Sequence, residues 1–165
     1  MKTSMKIRLS AVIIALTAMS FTLLAWVMFN STFGYSIKFP NTPVVTAKAG
    51  GEVVKHAAPG MPAFIVDYEQ KGAPYVAIPN VINDKVTQYI NSKPGSAGVV
   101  PAWAGPVAAW KGCQSREATI NFPSGLRTNI RVAILGNECW ILIAEHNGAF
   151  TPAADWNQFL NSFQH

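Results

Sequence analysis

At 165 residues the chain has room for one domain and a short extra segment. Half of it is hydrophobic and 13% is charged, which excludes general disorder. The net charge of +5 does not mark a nucleic-acid surface. Lys2, Lys6 and Arg8 precede an apolar run, and from Tyr35 onward 10 Lys and Arg face 8 Asp and Glu, a balance of +2 with no basic run.

Leu9–Phe29 carries no formal charge. At 1.5 Å per residue such a helix reaches roughly 30 Å, the thickness of a bilayer's hydrocarbon core. The pattern predicts a cytoplasmic basic tail over residues 1–8, a transmembrane signal-anchor helix over 9–29, a linker over 30–34 and an exported domain over 35–165. The basic flank keeps the N-terminus inside, which places the domain in the periplasm on a bacterial inner membrane. The alternative is a cleaved signal peptide, with Thr32-Phe33-Gly34 before a mature start at Tyr35.

Cys113 and Cys139 both follow the apolar run. In an oxidising compartment a pair of cysteines suggests a disulfide, worth roughly 3 kcal/mol for a loop of this size. Two buried free thiols are the alternative.

Tyr35–Phe39 alternates apolar and polar side chains, a strand stopped by Pro40, and residues 40–51 read as a loop. Glu52–Ala58 and Ala63–Gln70 form a hairpin about Pro59-Gly60. In its second strand Phe64, Val66 and Tyr68 share one face, and Asp67 and Glu69 share the other. Tyr75–Ile78 is a short apolar run. From Asn80 to Lys93 the period becomes helical, with Ile82, Val86, Tyr89 and Ile90 on one stripe. Pro94–Pro106 has no periodicity and reads as a long loop, and Val107–Lys111 begins another strand. Glu117–Phe122 and Thr128–Leu135 alternate, whereas Cys139–Ala144 is apolar at every position, as in a strand covered on both faces. Thr151 and Pro152 suit a helix start, and Trp156, Phe159, Leu160 and Phe163 give that helix its apolar stripe.

Three phrases carry a family resemblance: Tyr35–Pro40 (Tyr-Ser-Ile-Lys-Phe-Pro), Gly112–Glu117 (Gly-x-x-x-Arg-Glu) and Phe159–Phe163 (Phe-Leu-x-Ser-Phe). In these the chain resembles the Mog1/PsbP-like family of small α+β domains. It departs from the family where Gln114-Ser115 replaces the usual Pro-Gly before the Arg-Glu pair. The resemblance implies an antiparallel sheet with helices packed on it. The expected fold class is therefore α+β, with an antiparallel sheet of about six strands, packed helices including a C-terminal one, and a preceding transmembrane helix. Family members are similar in fold but differ in work, from photosystem assembly to binding of a small GTPase, so fold alone assigns no function.

His56 stands near Asp67 in the hairpin, but general-base catalysis needs a nucleophile within about 3 Å. His146, beside Glu145, reads as a strand-end polar residue, and His165 is terminal. Arg116 and Glu117 read either as a recognition pair or as structural partners of a neighbouring strand and the long loop. The long loop is the main candidate site, because structureless loops of this length are often functional. Trp103 either folds back into the core or forms an apolar patch with Val99 and Val100. The contact surface expected from sequence consists of Val99, Val100, Trp103, Trp110 and Arg116. No phosphate loop, nucleophile elbow or zinc spacing occurs, and no cofactor or metal is expected. The reading is a non-catalytic, membrane-anchored domain that binds a protein of the cell envelope and no nucleic acid. A small-ligand or lipid carrier, marked by an apolar cavity, is the first alternative, and a hydrolytic enzyme the second.

Overall fold

The computed structural model describes residues 26–165. Their ten strands are β1 (Val27–Asn30), β2 (Ser36–Phe39), β3 (Val44–Lys48), β4 (Gly51–His56), β5 (Ala63–Gln70), β6 (Ala102–Trp103), β7 (Ala108–Trp110), β8 (Cys113–Asn121), β9 (Leu126–Leu135) and β10 (Glu138–Asn147). Two helices join them, α1 (Ile78–Asn91) and α2 (Ala153–Ser162). Strands β1 and β2 form a separate hairpin. The other eight form one antiparallel sheet in the order β3-β4-β5-β10-β9-β8-β6, with β7 also paired to β8.

This corrects the expectation of about six strands preceded by a transmembrane helix. The far end of the expected 9–29 span is strand β1, and the expected linker 30–34 is the turn of the β1–β2 hairpin, closed by Ser31 N–H to the Tyr35 carbonyl at 2.8 Å. No helix among the described residues is long and apolar enough to cross a membrane. Residues 1–25 of the expected tail and span lie outside the described residues. The folded unit thus takes in Trp26, upstream of the expected start at Tyr35.

Period-two alternation divides the sheet's side chains between two faces. On the first, Phe64, Val66 and Tyr68 of β5 and Trp140, Leu142 and Ala144 of β10 meet Trp156, Phe159 and Leu160 of α2 and Ile37 and Phe39 of β2. On the second, Ile130, Val132 and Ile134 of β9 and Ile141 and Ile143 of β10 meet Ile82, Val86 and Ile90 of α1. Each such side chain taken fully out of water contributes about 1.5–3 kcal/mol. Strand β10 is buried on both faces, which is why its sequence is continuously apolar.

Local chemistry fixes the ends of these elements. Gly51 lets β4 approach β5: a Cβ there would stand 2.0 Å from the Tyr68 carbonyl oxygen. The short apolar run Tyr75–Ile78 leads into the first helix. Ala77 takes a left-handed φ of 50°, and α1 starts at Ile78 with Pro79 in its first turn. Helix α2 opens after Pro152, but Thr151 makes no capping bond and is buried. Instead the Trp156 indole N–H donates to the Glu117 carboxylate at 2.6 Å, tying the helix start to β8. At the chain's end Ser36 and Gln164 exchange two backbone bonds of 2.8 Å, which locks α2 onto β2.

The expected Cys113–Cys139 disulfide is absent, and both thiols are free and buried. Strand β9 separates β8 from β10, which sets the two strands roughly 9.6 Å apart. Cys113 also lies on the α2 face and Cys139 on the α1 face. Cysteines whose Cα atoms are more than about 7 Å apart and point apart cannot be bridged.

Candidate functional site

The long loop condenses around β8. Ala102 and Trp103 pair with Thr119 and Ala118, and Ala104 N–H donates to the Glu117 carbonyl at 2.9 Å. This seats Trp103 on the α1 face, half-buried and packed with Val99 and Val107 against the second core. Arg116, on the same face of β8, lays its guanidinium 4.0 Å from the centre of the Trp103 ring. Its Nε donates to the Gly105 carbonyl at 2.6 Å, and one terminal nitrogen lies 3.4 Å from Asn83 Oδ1 on α1. Arg116 therefore joins the loop, the sheet and the start of α1. Beside this arrangement Val100 is 78% exposed.

Trp110 belongs elsewhere. It pairs with Cys113, five positions from Ala118 on β8, so an odd spacing puts the two tryptophans on opposite faces. Trp110 stacks on Phe163 with ring centroids 5.5 Å apart and an interplanar angle of 16°. The Arg131 guanidinium covers it at 4.8 Å while pairing with Glu117. Of the residues expected to form one surface, the structure sets Val99, Trp103 and Arg116 on the α1 side, with Val100 exposed next to Val99, and places Trp110, half-buried, against the core under α2. Cation–π contacts of this kind contribute about 0.5–1 kcal/mol at exposed sites.

Several other polar side chains pair with one another on the two faces. On the α1 face, a groove of about 330 Å³ floored by Ile141 and Ile143 is walled by the Lys48–Asp67 and Lys85–Glu69 ion pairs and Tyr89. Burial raises the Glu69 pKa, but hydrogen bonds from Lys85 and Tyr75 outweigh it and hold this carboxyl below its usual range. On the α2 face, buried Glu52 accepts hydrogen bonds from the Tyr35 hydroxyl at 2.8 Å and from Ser31, which anchors the β1–β2 hairpin. Nothing in the local sequence announces Glu52, because its partners, Ser31 in the expected linker and Tyr35 at the head of the expected first strand, lie far from it along the chain.

His56 is buried on the α2 face, whereas Asp67 points to the α1 face, so the two do not converge. His165 Nε2 lies 3.4 Å from Cys113 Sγ and 2.5 Å from the Lys111 carbonyl. Burial pushes the Cys113 thiol up to about 11, so it is held as the thiol and not as a nucleophilic thiolate. His146 stands at the end of β10 opposite Arg127, its Nδ1 buried without a partner among the described residues.

No protein-family model matches the chain. Among curated proteins none matches. Among solved structures, the chain is similar to the solution structure of cyanobacterial PsbP (CyanoP) from Synechocystis sp. PCC 6803. The TM-score is 0.56 at 12% sequence identity, over 86% of this chain and 93% of that one. The fold is thus PsbP-like, and at this identity the likeness carries the fold alone.

Proposed function

We propose that this domain is exported to the periplasm of a bacterium and works there without catalysis, as an accessory factor that binds a protein of the cell envelope. The observation that carries the reading is the Trp103–Arg116 pair beside exposed Val100. Tryptophan and arginine are the residues most enriched at the energetic centres of protein interfaces. Here Arg116 is held by Gly105, so its order is established before a partner arrives. The resemblance to PsbP-like domains is compatible with such work, and Lys2, Lys6 and Arg8 before an uncharged run support export.

The alternatives draw less support. The groove over Ile141 and Ile143 is walled by ion pairs, a lining unsuited to a lipid chain. The separation of His56 from Asp67 removes the one hydrolytic arrangement the sequence offered.

A photo-crosslinking residue at Val100, introduced in cells, tests the proposal. A discrete protein adduct that weakens with Trp103→Ala is the expected result. Co-purification of a lipid or metabolite with no protein adduct would overturn it in favour of a carrier.

A further inference from the structure

The two edges of the eight-stranded sheet are built differently. The β6–β7 edge is broken into two short strands by Gly105 and Pro106, a common protection against edge pairing. The β3 edge is a continuous strand, Val-Val-Thr-Ala-Lys, with Val44 70% and Val45 47% exposed. Among the described residues no strand pairs with its outer side. Its one charge, Lys48, is tied to Asp67 across the sheet and does not guard the edge.

The direction of its backbone groups follows from the ladder. Gln70 N–H donates to the Gly50 carbonyl at 2.7 Å, so even-numbered residues of β4 turn their backbone groups to β5. Odd-numbered Gly51, Val53 and Lys55 then turn theirs to β3, where their partners are Lys48, Thr46 and Val44. Val45 and Ala47 are left with N–H and C=O pointing outward.

From this arrangement we infer that β3 is a homodimer edge: two copies of the chain pair antiparallel through β3 about a two-fold axis at Thr46. Reversing Val44–Lys48 against itself sets Val45 opposite Ala47, Thr46 opposite Thr46 and Lys48 opposite Val44, with no like charges opposed. The outward groups of Val45 and Ala47 bond to those of the other copy and join the two sheets into one. Thr46 then forms a non-hydrogen-bonded pair with its own copy, with Cα atoms about 4.5 Å apart. That spacing lies within disulfide range.

The purified full chain, in mild detergent, tests this by sedimentation from micromolar to submillimolar concentration and by oxidation of Thr46→Cys. The native thiols are buried and do not compete. Ser124→Cys, in an exposed turn, serves as control, and Val45→Pro removes an outward N–H without touching the β3–β4 ladder. The expected result is a concentration-dependent doubling of mass that Val45→Pro abolishes with circular dichroism unchanged. Thr46→Cys should cross-link at least tenfold faster than Ser124→Cys. A wild-type chain that stays monomeric, or a dimer that persists in Val45→Pro while Thr46→Cys links no faster than control, would overturn the inference.

Discussion

The Trp26 indole meets Phe64 edge-on, with ring centroids 5.3 Å apart. Through this contact a residue from the end of the apolar run becomes part of the core beneath α2. Phe29 continues it, packing against Tyr35 and Phe39. A mature protein starting at Tyr35 would lose β1 and uncover the outer side of β2. N-terminal sequencing should therefore find no chain starting at Tyr35. A chain shortened to begin there should be destabilised by about 3 kcal/mol, the scale of losing one buried aromatic. Urea denaturation of both lengths measures the difference, and equal midpoints would remove β1 from the fold.

Both cysteines should behave as inert thiols. Burial pushes Cys113 up to about 11 and Cys139 up to about 12, so thiolate is scarce at neutral pH. A thiol reagent at pH 7 should modify neither in the native protein and both in denaturant. Non-reducing mass spectrometry should find no link between them. Rapid labelling without denaturant would show that one face of the sheet is open.

How much of this was legible in the sequence depended on where side-chain burial left a period. Strands β5 and β9 and both helices left an alternation or a stripe that was readable, and β10, buried on both faces, left an unbroken apolar run. Strand β3 was not, because its side chains are exposed and its pairing is carried by backbone. Strand β1 was hidden for the opposite reason: Val27–Phe29 extends an uncharged run, and apolarity alone does not distinguish lipid from protein core. At the site, Arg116 and Glu117 have structural partners, Gly105 in the loop and Arg131 across the sheet. The separation of Trp103 from Trp110 was invisible, since it rests on which residues of β8 each one meets.

Arg116 should matter to loop order more than to global stability. Arg116→Ala removes the bond to Gly105 and the cover over Trp103, together about 1 kcal/mol. Hydrogen exchange should rise across residues 99–107 and stay unchanged in β9 and β10. Arg116→Lys keeps the charge but loses the planar fork, so it should show most of the same loosening. Unchanged exchange in both variants would mean that β6 pairing alone holds the loop.

Glu69 should make the protein acid-sensitive in a defined window. Burial raises its pKa, but Lys85 at 2.6 Å and the Tyr75 hydroxyl overcome that and bring it below the ordinary 4.5. A carboxyl whose folded pKa is depressed stabilises the fold above its unfolded pKa, and this contribution disappears as pH falls through the folded value. Stability should therefore decline from about pH 4.5 downward as Glu69 takes up its proton. Glu69→Gln should lower stability at pH 7 and flatten that part of the profile. Removing one partner of a half-buried pair also strands Lys85, so Lys85→Met with Glu69→Gln should recover part of the loss. Thermal melts between pH 3 and pH 7 for the three proteins measure this, and parallel curves for wild type and Glu69→Gln would show that the acid sensitivity arises at another carboxylate.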